Sequence, residues 1–219
     1  MSSEPRAVAI VAGATGLVGQ ALVRLLAADR AWGEVRALVR RPLPPELSAP
    51  KIVQVQVDYE RLDQAVEWAA VQHVFCALGT TMRQAGSAEA FRRVDFDYPV
   101  RLARAALARG ARHVLLVTAI GAAQNSRFFY NRVKGDVEAA ITALGFRSVT
   151  IARPSLLLGR RQKARLGERL GKVLGLLSPP RWRPVHATQV ARALVEAARR
   201  DLPGVHIMEN QELRAAADE

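Results

Sequence analysis

Short apolar runs recur along the chain, each followed by a stretch in which apolar residues return every three or four positions. The runs AVAIVA (7–12), EVRALV (34–39), KIVQVQV (51–57), QHVFCAL (72–78), RHVLLVT (112–118) and FRSVTIA (146–152) read as β-strands. LVGQALVRLLAAD (17–29) and YPVRLARAALARG (98–110) carry the helical period, and the second stops at a glycine suited to a C-cap. Strands that are apolar nearly throughout and alternate with helices predict a parallel sheet covered by helices on both faces. A late helix, ATQVARALVEAARR (187–200), and a short strand, GVHIME (204–209), follow. The proline-rich stretches RRPLPPELSAP (40–50) and SPPRWRP (178–184) read as loops. The expected architecture is α/β, a doubly wound parallel sheet in a single domain over residues 1–219.

Composition narrows the class without changing the fold. The 219 residues suffice for one full core, and half of them are apolar. No apolar run reaches the roughly 18 residues needed to span a membrane. The start, MSSEPRAVAIVAG, has an acid and no basic leader before its apolar stretch, so it is expected to be a first strand and not a signal peptide. Cys76 is the single cysteine, which excludes an internal disulfide and suggests a reducing, cytoplasmic setting. The net charge of +12 comes from 28 arginines against 4 lysines, scattered along every helix. No helix-turn-helix, zinc-ligand spacing or aromatic RNA motif accompanies that charge, so neither nucleic acid nor a metal is expected.

Candidate chemistry begins at the first strand's end. VAGATGLVGQ (11–20) spaces Gly13, Gly16 and Gly19 as G-x-x-G-x-x-G between a strand and a helix, the context in which this pattern binds a dinucleotide. Gly13 suits the tight turn, Gly16 the approach of a pyrophosphate to the helix N-terminus, and Gly19 close helix–strand packing. Thr15 and Leu17 complete the loop as expected cofactor contacts. An acid at the end of the second strand would grip the ribose of NAD. Arg40 and Arg41 stand there instead, suiting a 2′-phosphate and hence NADP(H). Asp58, after the third strand, has two readings of equal weight: an acceptor for the adenine amino group, or a cap for the next helix. Leu78 and Gly79, in ALGTT (77–81), are expected backbone contacts to the cofactor.

FFYNRVKG (128–135) places Tyr130 and Lys134 four apart, hence on one helix face, a rare pairing for a chain with three tyrosines and four lysines. Together with GATGLVG, ALGTTMRQAGSAEAFRRVDFDYPVRLA, FFYNRVKGDVEA and ARPSLLLGRR, it resembles the short-chain dehydrogenase/reductase superfamily. Its nearest likeness is the atypical branch typified by the Tat-interactive protein oxidoreductase. The resemblance covers most of residues 7 to 161 and implies a Rossmann-type sheet that binds NADPH. It assigns Tyr130 as the acid that protonates a carbonyl oxygen, and Lys134 as the residue that lowers the phenol's pKa and holds the nicotinamide ribose. A hydroxyl at the fifth strand's end should hold the substrate oxygen; Thr118 stands there, followed by Ala119, where the family commonly has serine.

The resemblance also puts Arg153 and Pro154 at the cleft's rim, with Arg153 pinning a turn. His186 is expected at the entry of the late helix, and His73 and His113, at strand beginnings, are given no role. Residues 155–186 are expected to form a small, basic C-terminal region that covers the substrate. Its 160–183 stretch holds eight Lys/Arg and a single acid, Glu168, so it also suits an anionic partner or a membrane surface. The expected function is NADP(H)-dependent reduction of a small or lipophilic carbonyl compound. The alternative is an NADPH-binding, redox-sensing regulator with little or no turnover. An epimerase with tightly held NAD fits poorly with Arg40 and Arg41. Both a monomer and a homodimer agree with the resemblance.

Overall fold

The computed structural model describes residues 6–62, 68, 70–159 and 179–216. Its strands are β1 Ala7–Ala12, β2 Trp32–Val39, β3 Ile52–Gln56, β4 Val71–Cys76, β5 His113–Val117, β6 Ser148–Arg153, β7 Leu157–Leu158, β8 Val185–His186 and β9 Gly204–Glu209. Seven of them form one sheet in the order β3-β2-β1-β4-β5-β6-β9, with every neighbouring pair parallel. The short β7 and β8 pair separately. The strand order turns back between β1 and β4, and such a reversal opens a crevice at the carboxyl ends of the strands. This is the Rossmann-type sheet that the strand–helix alternation predicts.

The helices are α1 Leu17–Ala28, α2 Met82–Ala85, α3 Ala88–Arg92, α4 Tyr98–Ala108, α5 Phe129–Thr142, α6 Ala187–Arg200 and α7 Asn210–Ala215. Strand alternation sends Ala9 and Val11 to a core shared with Leu22, Leu26, Phe75, Leu115 and Leu194, under α1 and α6. Val8, Ile10 and Ala12 face the other way, into a core with Val74, Leu102, Val114, Ile141 and Ile151, under α4 and α5. Leu22, Leu26, Leu102 and Ile141 are fully buried, and each gains about 1.5–3 kcal/mol by leaving water. Helix α4 stops as its glycine predicts: the N–H groups of Gly110 and Ala111 donate to the Leu107 and Ala106 carbonyls.

Two differences from the sequence reading bear on the site. The strands expected to run to Leu78 and Thr118 stop at Cys76 and Val117, because the next residues leave the sheet to line the crevice. The helix expected to begin at Tyr98 is also part of a longer run, joined to α3 by one π turn at Arg93–Asp97. Such turns carry an extra residue and redirect a side chain. Cys76 is fully buried and burial pushes its thiol up to about 11. Thiolate is the reactive form, so Cys76 is expected to resist a disulfide reagent at pH 8 and to react in full once the chain is unfolded by guanidinium.

Candidate active site

The crevice is two joined cavities. The first, of about 820 Å³, is bounded by Gly13, Thr15 and Gly16 of the glycine loop and by Arg40 and Arg41 at the end of β2. The second, of about 850 Å³, is bounded by Leu17, Leu78, Thr118, Tyr130 and Lys134. Gly16, Leu78, Gly79 and Thr80 border both, so one channel runs from the arginines to the tyrosine.

The loop's geometry explains its glycines. Gly13 has a φ of +77°, and a Cβ there would lie 2.3 Å from the Ala77 carbonyl oxygen of the neighbouring strand end. A Cβ on Gly19 would lie 2.1 Å from the Gly13 oxygen, so only glycine lets α1 rest on the loop. The N-cap of α1, Gly16, offers no side-chain cap, and the first turn holds no acid. The first N–H groups of a twelve-residue helix are thus left for an anion, with the helix dipole in its favour. A dinucleotide's pyrophosphate fits this cradle. Arg40 and Arg41 are exposed beside it, and among the described residues neither forms an ion pair. Asp58 stands outside the lining; its Oδ1 accepts the Glu60 N–H at 3.0 Å in a local turn ahead of the next helix.

The second cavity centres on α5. Tyr130 and Lys134 both reach it, and the Lys134 ammonium lies 6.0 Å from the centre of the tyrosine ring. Lys134 is buried, and its charge is met by Asp95, whose Oδ1 stands 2.7 Å from Nζ. That contact is ionic by distance, without the alignment of a hydrogen bond. The other carboxylate oxygen, Oδ2, accepts the Thr80 N–H at 2.9 Å. One buried acid therefore fixes both the lysine and the loop after β4. Asp95 sits in the π turn, and nothing in the sequence marks it: an acid in a charged helical stretch reads as a solvated face.

Thr118 is placed by a second buried acid. Its Oγ1 donates to Glu138 Oε1 at 2.6 Å, and Glu138 is gripped by Arg153 through Nε at 3.1 Å and Nη2 at 2.5 Å. Arg153 also donates to Glu209 at 2.9 Å, which ties α5 and β6 to the end of β9. These acids hold the guanidinium far into its charged form, the Glu138 hydrogen bond leading. Arg153 thus ties helix to sheet and not the turn after it, where Ser155 N–H donates to Asn210 Oδ1 at 2.9 Å, while Pro154 lines the cavity. Asn131 anchors the loop after β5 by donating to the Ile120 and Gly121 carbonyls at 3.2 and 2.7 Å. Glu138 and Asn131 were not among the expected site residues; their only signal is their place in the helix of Tyr130. His186 caps α6, as expected. Residues 160–178, most of the basic segment, lie outside the described residues, but its described ends line the cavity through Ser155, Leu156, Leu157 and Trp182.

A family profile described as NAD(P)H-binding matches residues 13–201. The chain is 37% identical to Protein HTATIP2 of Rattus norvegicus over 94% of its own length and 86% of that protein's. It belongs to the NAD(P)H-binding family, among the atypical short-chain dehydrogenases/reductases. Protein FMP52, mitochondrial, of Eremothecium gossypii is 36% identical over 94% of this chain and 95% of its own. Among solved structures, WbmH of Bordetella bronchiseptica in complex with NAD+ superposes with a TM-score of 0.73 at 14% identity, covering 94% of this chain and 76% of that one, a likeness of fold. The relatives overturn the expectation of a cytoplasmic protein, since several are named mitochondrial. A solitary thiol indicates a reducing compartment and cannot say which one.

Proposed function

We propose that this short-chain dehydrogenase/reductase reduces a lipophilic carbonyl compound at the expense of NADPH. The observation that carries the reading is the shared cavity: Tyr130 and Lys134 line the same channel as the uncapped glycine loop. The cofactor, when bound, supplies hydride to the carbonyl carbon. Tyr130 donates its phenolic proton to the carbonyl oxygen, completing the alcohol, and is reprotonated from water. The Lys134 ammonium, held in place by Asp95, favours the phenolate left behind. Thr118 donates its hydrogen bond to Glu138, so its hydroxyl oxygen is left to accept from the hydroxyl of the alcohol formed. Phe128, Leu156 and Trp182 are 75%, 59% and 44% exposed while bordering this cavity. An apolar rim of that kind suits a lipophilic substrate over a charged one.

Preference for the phosphorylated cofactor rests on Arg40 and Arg41. Hydrogen bonds to charged groups contribute about 1.5–3 kcal/mol each. The Arg40→Ala/Arg41→Ala variant is therefore expected to bind NADPH at least about tenfold more weakly and NADH nearly as before, read by cofactor fluorescence titration. Equal losses for both cofactors would remove the basis for NADPH.

One observation favours the second reading, a cofactor-sensing regulator without turnover. The Thr118 proton is committed to Glu138 and Ala119 has no hydroxyl, so the strand end offers no free O–H to a carbonyl. The deciding experiment is NADPH consumption over a panel of aldehydes, ketones and quinones of increasing chain length, beside direct measurement of NADPH binding. Turnover that rises with apolar chain length supports the reductase; tight binding with no turnover across the panel supports the sensor.

A further inference from the structure

At the end of the sheet away from the crevice, β4 and β5 begin with two histidines. His73 and His113 are register neighbours on adjacent strands, with ring centres 5.8 Å apart. Both are buried, on the face covered by α1 and α6. Asp201, which ends α6 in the left-handed conformation at φ 42°, brings its carboxylate to them. One ligand atom from each of the three lies within 4.8 Å of the others.

Each group has an outer atom that is held or faced by a neighbour and an inner atom that is bare. His113 Nε2 is 2.9 Å from Thr150 Oγ1, while its Nδ1 faces Asp201 Oδ1 at 3.2 Å without an aligned hydrogen bond. Asp201 Oδ2 receives Arg147 Nη1 at 2.9 Å and Arg112 Nε at 3.2 Å, while Oδ1 has no aligned partner. His73 has the Ala198 backbone beside its ring and no aligned hydrogen bond at either nitrogen. Buried polar atoms are nearly always paired, and bare ones of this kind call for an occupant. Oxygen partners on the far side of each ligand are also how proteins orient imidazole and carboxylate toward a metal.

We infer that His73, His113 and Asp201 form a binding site for a divalent transition metal, best matched by Zn2+. Two imidazole nitrogens and one carboxylate oxygen are a zinc donor set with a fourth position left for water, and they are the wrong donors for Ca2+ or Mg2+. Arg112 and Arg147 oppose a dication nearby and set the affinity below that of a fully anionic site. The ion clamps the starts of β4 and β5 to the turn between α6 and β9. No sequence motif announces the site, because the three ligands come from separate strand–helix units.

The test uses untagged, chelator-treated protein titrated with ZnCl2 against a chromophoric chelator, with Co2+ absorption as a second readout. Wild type is expected to bind one equivalent, to show the visible bands of a low-symmetry cobalt site, and to gain melting temperature with zinc. His73→Gln and Asp201→Asn are each expected to weaken zinc binding at least tenfold and to lose the zinc-dependent gain in melting temperature. Both variants replace the ligand with a polar group of similar size, and circular dichroism before titration verifies their fold. The chain's two other histidines are His186 and His206, so the His186→Ala/His206→Ala variant controls for adventitious binding and is expected to bind as wild type does. Substoichiometric binding by wild type, binding retained by both ligand variants, or binding lost in the control variant would each overturn the inference.

Discussion

Tyr130→Phe is expected to lower NADPH-dependent carbonyl reduction by about 10²- to 10⁴-fold, the usual worth of a positioned general acid, with NADPH affinity nearly unchanged. The substitution removes one oxygen and keeps the ring. That ring packs on Phe91 with centres 5.5 Å apart, so α5 keeps its seat and Lys134 its place. The loss falls on proton donation because no other hydroxyl at the strand end can supply it: Thr118 donates to Glu138 and Ala119 has none. Steady-state rates on the best carbonyl of the panel, beside fluorescence titration of the cofactor, separate the two effects. Equal rates in the variant and wild type would take the acid role from Tyr130, leaving the cofactor site as it stands.

Asp95→Ala carries the largest expected cost in stability, about 3–5 kcal/mol, the cost of leaving one member of a buried ion pair alone. The variant strands the Lys134 ammonium, whose side chain is only 5% exposed, and takes the acceptor from the Thr80 N–H. Asp95→Asn is expected to lose less, since the amide oxygen can still receive Thr80. Adding Lys134→Met to Asp95→Ala is expected to recover much of the stability, because the orphaned charge is gone, while turnover stays low. Urea unfolding monitored by circular dichroism gives the free energies of wild type and the three variants. A loss below about 1 kcal/mol in Asp95→Ala would mean that water reaches Lys134 and that the pair is no organising feature of the site.

Other outcomes follow from how the chain is built. Glycine at positions 13, 16 and 19 could be interpreted from sequence because the reasons are local: the turn after β1 and the seat of α1 lie within ten residues of each other. The Tyr130–Lys134 pair was readable for the same reason, one helical turn on one face. The place of Arg40 and Arg41 on the cavity lining could be expected because ligands sit at the carboxyl ends of strands, a rule that needs only the strand's direction. Asp58 could not be decided that way; its bond to the Glu60 N–H belongs to a turn that either reading allows.

The sequence by itself determined the strand–helix alternation and with it a parallel sheet, the glycine loop and the helix of Tyr130, since each rests on periodicity or on contacts within a few residues. Only the tertiary structure decided which charges are buried and with whom. Asp95 meets Lys134 from a different helix, Glu138 accepts the Thr118 hydrogen bond from the helix that follows β5, and Asp201 closes on two histidines of separate strands. A charged residue looks alike in sequence whether it faces water or the interior. Its fate is set by desolvation, which depends on every element packed around it.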